Sequence, residues 1–256
     1  TYYTKDGITV SGTAEDAISL KQVDIKLGAT TLATINASEI GEDKKWSCEI
    51  EAKNLASDIA TNVIISAVDN AGHVATAPVF NVYKDTKAPT LVLNNIADKT
   101  IITEQDLSNN QFTVKGSWND NGGSGYAKLE YCLDAEISDS TNWTEVKVNN
   151  AVPEATWNFP ITLETETLNQ TLNIRVTDTV GNSSVTSLNN IIVDKSVPKA
   201  GTTSLDNQYI GKDDSYILEG TATDSLGLTK IEIKSFKNGV EQKPADTDTI
   251  TLSGDK

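Results

Sequence analysis

The parts of this sequence best suited to chemistry are its acidic, oxygen-rich loops. Residues 119–125 hold Asp120 and Asn121, followed by Gly122 and Gly123. Carboxylate and amide oxygens are the ligands that calcium prefers in proteins, and a glycine-rich loop is able to wrap around an ion. The loop therefore predicts a calcium site at Asp120 and Asn121.

Two other acidic stretches offer alternative calcium cages. Each starts at an aspartate four residues before a proline, Asp85 before Pro89 and Asp194 before Pro198. The companion acids are Asp98, Glu104 or Asp106 for the first aspartate and Asp206, Asp213 or Asp214 for the second. The competing interpretation is that all these acids form turns and keep the surface soluble.

Tryptophan is the other residue type able to bind a ligand here, since a sugar ring stacks on an exposed aromatic face. Trp46 and Trp157 stand in matching sequence contexts, which favours a repeated core role. Trp118 alternates in phase with the inward-facing apolar residues of its strand, so all three tryptophans are predicted core residues. Trp143 is out of phase with Val146 and remains the candidate sugar platform.

Composition excludes several classes of partner. The chain has 256 residues, with 21 Lys plus Arg against 36 Asp plus Glu and a net charge of -15. Such a charge repels phosphate, so nucleic acid and anionic membrane are not expected partners. No apolar run reaches the roughly 18 residues that a membrane-spanning helix needs, so no membrane insertion is expected within this segment.

An internal repeat sets the architecture. Residues 8–16, 112–120 and 216–224 all read apolar-x-apolar-x-Gly-x-(Ala/Trp)-x-Asp, and their glycines are 104 residues apart both times. A second alternating run follows each copy, at residues 23–27, 129–133 and 231–234. A period of two is typical of half-buried strands, so each copy predicts a pair of strands.

The first two copies also share a hairpin signature near their ends. Asp69-x-x-Gly72 and Asp178-x-x-Gly181 each follow an apolar run. In such a turn the aspartate carboxylate accepts from turn amides and the glycine takes the left-handed conformation. These four residues are predicted structural turn residues, and a last strand is expected over 74–82 and over 185–193.

Short strands, frequent turn signals and modules of about 100 residues predict an all-β protein of tandem immunoglobulin-like β-sandwiches in an elongated array. The prolines place the boundaries at 1–87, 88–196 and 197–256. The first module lacks the leading strand that residues 89–93 supply to the second, and the third stops before its tryptophan strand. We therefore expect the sequence to be a piece of a longer polypeptide.

The motifs together resemble the bacterial immunoglobulin-like (Big) repeats of cell-surface proteins and adhesins. The resemblance rests on Gly-x-Ala-x-Asp near a module's start and on Asp-x-Ala-Gly followed by Asp-x-x-x-Pro near its end. His73 stands where the family usually has Asn, and Asp134 is followed by Ala-Glu where related modules have Gly-Gly. The resemblance implies the fold and an extracellular, cell-surface location.

Catalysis is not expected. Cys48 and Cys132 fall in different modules at positions that do not correspond, so no disulfide forms within a module. Strand alternation predicts that Cys48 faces inward and Cys132 outward. His73 is predicted to be a surface residue of a turn, and the sequence gives no pair of carboxylates flanking a cleft.

Two functions follow from these observations. The first is a non-catalytic stalk or adhesion segment of a bacterial cell-surface protein, in which each module contacts its neighbours and projects a domain that binds a host surface protein or glycan. Modules built from strands of about ten residues would each be roughly 35 to 40 Å long. The second is a carbohydrate-binding or spacer segment of a secreted polysaccharide-active enzyme, for which Trp143 would be the platform.

Overall fold

A computed structural model describes residues 1–133, 136–138, 142–147, 154–203, 218–228, 230–232 and 234–242. Within these ranges the chain is built from β-strands and three single-turn 3₁₀ helices, at Ala37–Glu39, Ala52–Asn54 and Glu104–Asp106. The predicted all-β fold of tandem immunoglobulin-like sandwiches is confirmed. No helix in the described ranges has the length and apolar character to cross a membrane.

Eight strands form the first 87 residues, and they lie in two sheets. They are β1 (Tyr2–Thr4), β2 (Gly7–Thr13), β3 (Leu20–Leu27), β4 (Thr30–Asn36), β5 (Lys45–Glu51), β6 (Ala60–Asp69), β7 (Val74–Thr76) and β8 (Phe80–Lys84). The larger sheet has the order β1-β8-β6-β3-β4, with β7 pairing β6, and the smaller is β2-β5. Val23, Ile25, Ile50, Val63 and Val82 are buried between them.

The next stretch repeats this plan, again with eight strands in two sheets. Its strands are β9 (Thr90–Leu93), β10 (Ile101–Thr103), β11 (Gln111–Asn119), β12 (Tyr126–Cys132), β13 (Thr144–Val146), β14 (Glu154–Thr162), β15 (Thr167–Asp178) and β16 (Ser183–Asp194). The sheets are β10-β16-β15-β12-β13 and β14-β11-β9. The parallel pair β10 and β16 matches the parallel pair β1 and β8 of the first stretch.

Four short strands are described after residue 197. They are β17 (Lys199–Thr202), β18 (Gly220–Thr223), β19 (Ser235–Lys237) and β20 (Val240–Gln242), paired as β17-β18 and β19-β20. The antiparallel pair β17 and β18 repeats the pairing of β9 with β11. The division at residues 88 and 197 stays a prediction.

By its internal contacts the chain divides into two compact units. The first comprises Thr1–Ile96, Thr113–Phe159 and Leu172–Leu188, and the second comprises Ala97–Phe112, Pro160–Thr171 and Asn189–Lys256. The first unit contains both sheets of the first module and the buried Trp118, Leu129 and Val176. The second contains β10 and the buried Ile102 and Ile191.

The repeated glycine is explained by the repeated tryptophan. Gly12 of β2 pairs with Trp46 of β5, and a Cβ on Gly12 would lie 2.8 Å from the indole ring. A Cβ on Gly116 would likewise overlap the ring of Trp157. Trp46, Trp157 and Trp118 are all buried, at 8%, 4% and 2% exposed. Only glycine leaves room for an indole to cross the strand at this position.

Three details of the sequence analysis are wrong. The strand expected over residues 74–82 is interrupted between β7 and β8, where Pro78 cannot donate a ladder hydrogen bond. The alternating run at residues 231–234 is not a strand at its described positions. Cys132 is buried, with Asn173 Nδ2 at 3.7 Å from its Sγ, because alternation predicts the side of a sheet and not whether that side is covered.

Candidate metal centre

Three strand ends bring three aspartates together. Asp85 follows the last residue of β8, Asp120 follows the last residue of β11, and Asp178 is the last residue of β15. Their nearest carboxylate oxygens all lie within 4.8 Å of one another. The three residues are only 1%, 2% and 1% exposed. All three belong to the first compact unit.

Backbone amides of the loop after β11 hold two of these carboxylates. The amide of Ser124 donates to Oδ2 of Asp85 at 2.6 Å, and the amide of Gly125 donates to Oδ2 of Asp120 at 2.6 Å. Oδ1 of Asp120 is buried and has no hydrogen-bond partner among the described residues, and the same holds for Oγ of Ser124. Two buried oxygens therefore have unused lone pairs at the cluster, which is costly without a partner.

The third carboxylate is oriented by its own hairpin. Oδ1 of Asp178 accepts from the amides of Val180 and Asn182 at 2.9 and 2.8 Å, and Gly181 has a φ of +91°. The side-chain amide of Asn182 donates to Oδ2 of Asp178 at 2.8 Å and to the backbone carbonyl of Asp85 at 3.1 Å. The hairpin and the segment after β8 are thereby joined at the aspartate cluster.

Gly123 makes the close approach of two carboxylates possible. A Cβ at this position would lie 2.7 Å from Oδ2 of Asp85 and 2.8 Å from Oδ2 of Asp120. Real Cβ atoms do not come so near to an oxygen, so any larger residue would push the carboxylates apart. The loop is thus shaped to let two acids converge.

The electrostatics of the cluster favour a bound cation. Burial raises the pKa of the Asp120 carboxyl, the amide of Gly125 opposes that effect, and the charges of Asp85 and Asp178 raise the pKa further. Three buried carboxylates repel one another in a medium of low dielectric constant. A divalent cation would reverse this repulsion, and hard carboxylate oxygens suit calcium or magnesium better than softer metals.

The sequence analysis placed Asp120 and Asp85 in separate candidate cages, and the structure places them in one. Asp178 was predicted only as a turn residue, and it has that geometry as well as a carboxylate in the cluster. Asn121 is exposed, with a φ of +47°, and its amide donates to Oδ1 of Asn119. The signal for Asp178 was its place in the repeated hairpin directly after a buried strand.

Three of the other candidate ligands accept hydrogen bonds from backbone amides. Oδ1 of Asp98 accepts from the amide of Asn189, and Oδ2 of Asp106 accepts from the amide of Thr103. Asp194 accepts from the amide of Ser196 through Oδ1. Asp206, Asp213 and Asp214 lie outside the described residues.

The corresponding turn of the first module carries a histidine. Asp69 accepts from the amide of His73 at 2.8 Å, its Oδ2 lies 2.7 Å from Nδ1 of the His73 ring, and Gly72 has a φ of +92°. The hydrogen bond between the two side chains raises the pKa of His73 and lowers that of Asp69. His73 is exposed, as expected of a turn residue.

Trp143 is partly buried, and one face of its ring is covered. The guanidinium carbon of Arg175 lies 4.2 Å from the ring centroid. Arg175 Nε also donates to Oε2 of Glu130 at 2.8 Å, and Lys128 Nζ donates to Oε1 of the same carboxylate at 3.0 Å. The pKa of Glu130 is lowered: burial raises it, but the hydrogen bonds from Arg175 and Lys128 outweigh that effect. The sugar platform at Trp143 stays a prediction.

Comparison with known proteins shows no family for this chain. No protein-family model matches the sequence, and no curated protein matches it. Among solved structures, fibronectin(III)-like modules of CbhA from Clostridium thermocellum match with 15% identity and a TM-score of 0.39, over 76% of this chain and 88% of theirs.

Two bacterial adhesins also match. One is a 1.5-MDa bacterial ice-binding adhesin, with 17% identity, a TM-score of 0.40, and 77% of this chain and 62% of that one covered. The other is a Ca²⁺-stabilized adhesin with which an Antarctic bacterium binds ice, with 19% identity, a TM-score of 0.35, and 78% and 48% covered. The chain thus spans less than two thirds of both adhesin structures.

Proposed function

We propose that this chain is a non-catalytic segment of tandem immunoglobulin-like modules from a bacterial cell-surface protein, and that it projects or presents a binding domain. We further propose that calcium held by Asp85, Asp120 and Asp178 fixes the connection between its first two modules. The observation that carries the calcium proposal is the convergence of three buried carboxylates from three separate strand ends. The sequence resemblance to Big repeats supports the bacterial surface location.

Calcium fits the donor set better than other common ions. The described cluster offers the carboxylate oxygens of three aspartates, and it contains no thiol or imidazole. Calcium accepts six to eight such oxygens in flexible geometry, whereas magnesium demands a near-ideal octahedron and zinc is commonly bound by nitrogen or sulfur. When bound, the ion would neutralise the mutual repulsion of the three carboxylates.

The mechanical effect follows from where the ligands lie in the chain. Asp85 is the residue directly after the last strand of the first module, whereas Asp120 directly follows β11 and Asp178 ends β15 in the second. An ion shared among them ties the connecting segment to the β11–β12 loop and to the β15–β16 hairpin. Pro89, four residues further on, restricts the backbone of its neighbour as well. The junction would then resist bending under load.

The following junction has related features. Asp194 and Asp224 occupy the repeat positions of Asp85 and Asp120, and Oδ1 of Asp224 accepts from the amide of Leu226 at 2.9 Å. Ser196, two residues after Asp194, has its hydroxyl 2.8 Å from that of Ser225, next to Asp224. These contacts support the proposal that both junctions share one arrangement, in which an aspartate at the end of one module lies near a loop of the next. A host surface protein or glycan is the proposed partner of the presented domain.

Small-angle X-ray scattering with and without calcium tests this function. We expect the distribution of interatomic distances to narrow and its maximum to become better defined when calcium is added, because a tied junction samples fewer orientations. Asp85→Asn should abolish this response, and Glu104→Gln, which removes an exposed acid outside the cluster, should retain it. A scattering curve that calcium does not change would reject the stiffening role.

A further inference from the structure

The segment that carries Asp85 is held from the first module by a second acid, Asp58. This residue lies in the connection between β5 and β6 and is half-buried. Its amide donates to the backbone carbonyl of Lys84 at 2.7 Å, and its Oδ1 accepts from the amide of Thr86 at 3.0 Å. One residue of the first module therefore fixes the backbone both directly before and directly after an aspartate of the cluster.

The carboxylate of Asp58 also contacts the two side chains that follow Asp85. The hydroxyl of Thr86 lies 3.1 Å from Oδ1 of Asp58 and 3.2 Å from its Oδ2. Lys87 Nζ lies 3.3 Å from the same Oδ2, but the lysine side chain is 63% exposed, and such an ion pair contributes little. The contacts with the amide and hydroxyl of Thr86 are therefore the ones that hold the segment.

The segment in turn orients the Asp85 carboxylate. The amide of Lys87 donates to Oδ1 of Asp85 at 3.3 Å, so the backbone over residues 85–87 sets where that oxygen lies. On the second-module side, the side-chain amide of Asn182 donates to the backbone carbonyls of Asp85 and Lys87 at 3.1 and 3.3 Å. On the first-module side, the carbonyl of Thr4 accepts from the Asp85 amide at 2.9 Å, and Asp58 holds the residues on either side.

A similar contact is present at the following junction. Glu166 lies between β14 and β15, which correspond to β5 and β6 of the first module. Hydrogen bonds from the side chain of Ser225 and from the backbone of Lys195 lower the pKa of Glu166. The hydroxyl of Ser196 lies 3.4 Å from its Oε1. Lys195 directly follows Asp194, so in both modules an acid of the same connection binds the segment after the corresponding aspartate.

We propose that Asp58 is a positioning residue for the metal site, through which the first module presents the carboxylate of Asp85 to calcium. The proposal rests on the calcium function proposed above. Asp58 is not one of the three clustered aspartates, so it acts through the backbone of Thr86 and Lys87. Without it, residues 85–87 would sample more conformations, and the entropy of ordering them would be lost from the free energy of calcium binding.

This coupling works in both directions. If the Asp58 contact strengthens calcium binding by a given factor, calcium strengthens the Asp58 contact by the same factor. The amide of Thr86 reports on the contact, since it donates to Asp58. We expect hydrogen exchange at this amide to slow by about tenfold when calcium is added. Calcium would thereby tie the first module more firmly to the segment that leads into the second.

Isothermal titration of calcium into the full 256-residue chain and its variants tests the proposal. Asp58→Gly removes the carboxylate without backbone strain, because Asp58 has a φ of +56°, and it should lower calcium affinity by about tenfold or more. Asp58→Asn tolerates the same φ and keeps an acceptor for the Thr86 amide, so its affinity should stay within about threefold of the wild type. The matched control Asn109→Gly, at a φ of +51°, should bind like the wild type.

These measurements distinguish failure of the positioning role from failure of the calcium site. A wild type that binds no calcium would reject both. If the wild type binds calcium and Asp58→Gly binds it equally well, only the positioning role is overturned. Asp58→Asn binding as weakly as Asp58→Gly would mean that Asp58 acts through its charge, which also overturns the proposal. Exchange of the Thr86 amide that calcium leaves unchanged in the wild type would overturn it whether or not Asp58→Gly folds.

Discussion

The amide of Ser124 donates a 2.6 Å hydrogen bond to Oδ2 of Asp85, a residue 39 positions earlier in the chain. The bond joins the segment after β8 to the loop after β11. Asp120 and Asp178 complete the cluster around Asp85. The loop after β11 thus connects two strands and also supplies the backbone amides that bind two carboxylates of the cluster.

Calcium should raise the thermal stability of the protein, because it binds the folded cluster and has no comparable site in the unfolded chain. At a concentration of about 100 times its Kd the gain would be about 2.7 kcal/mol. Differential scanning calorimetry with and without calcium measures it. In Asp120→Asn the gain should be largely lost, and an undiminished shift in that variant would exclude Asp120 as a ligand.

In the metal-free protein the repulsion among the three carboxylates should make the free energy of unfolding depend on pH. The folded pKa of Asp120 is raised above its ordinary 3.8, so its ionisation destabilises the fold at higher pH. Stability from this group is fully present below 3.8 and is lost as pH rises through the raised folded value. In chelator, Asp120→Asn should therefore be more stable than the wild type at neutral pH.

The same comparison supplies its own control. As pH falls through the raised pKa and toward 3.8, Asp120 becomes protonated in the wild type, and the two proteins should converge in unfolding free energy. Chemical denaturation at several pH values measures the difference directly. A constant difference across this range would mean that Asp120 is not the group responsible.

Gly123→Ala should weaken calcium binding by more than tenfold, because its Cβ would separate the carboxylates of Asp85 and Asp120. Gly201→Ala is the matched control, since a Cβ at Gly201 meets no atom within 4 Å. Competition with a fluorescent calcium chelator measures both affinities. If both variants bind like the wild type, the space at Gly123 does not set the geometry of the site.

Arg175→Gln should destabilise the second module by about 2 kcal/mol, because it leaves the largely buried Glu130 with one cation and removes the contact to the ring of Trp143. Trp143 fluorescence should shift to longer wavelength as the ring loses its cover. Lys230→Gln, which removes the exposed partner of Glu232, should change stability little. Equal effects of the two variants would contradict the burial argument.

His73 should titrate above its ordinary pKa of 6.5, because Asp69 stabilises the imidazolium. Stability from this pair is present below 6.5 and is lost as pH rises through the raised value. Proton NMR of the ring measures the titration, which is free of overlap because the chain has one histidine. Asp69→Asn should lower the pKa, and an unchanged titration would show that the pair is not formed in solution.

The repeat predicted the fold well because each repeated residue has a local physical role. Gly12 and Gly116 make room for an indole, and the Asp-x-x-Gly turns satisfy their own amides. Such roles are visible in the sequence as spacing. The burial of Cys132 is not visible in the sequence, because it depends on which residues cover the outer side of the sheet.

The metal centre was predictable in its parts and not in its assembly. The acidic loop at Asp120 and the junction at Asp85 both suggested calcium, yet nothing in the spacing says that residues 35 positions apart converge. Asp178 belongs to a turn motif, and that motif alone is enough to explain an aspartate at this position. Its second role is apparent only when the ends of the neighbouring strands are seen in the structure. Convergence of strand ends is a property of the packed sheets.

The most direct test of the account is isothermal titration of calcium into the wild type and into Asp178→Asn. Asparagine keeps the side-chain oxygen that caps the hairpin but removes the negative charge, so the turn should survive while the ion loses a ligand. The account predicts calcium binding by the wild type and an affinity at least about tenfold lower in the variant. Equal binding by both proteins, or no binding by either, would contradict it.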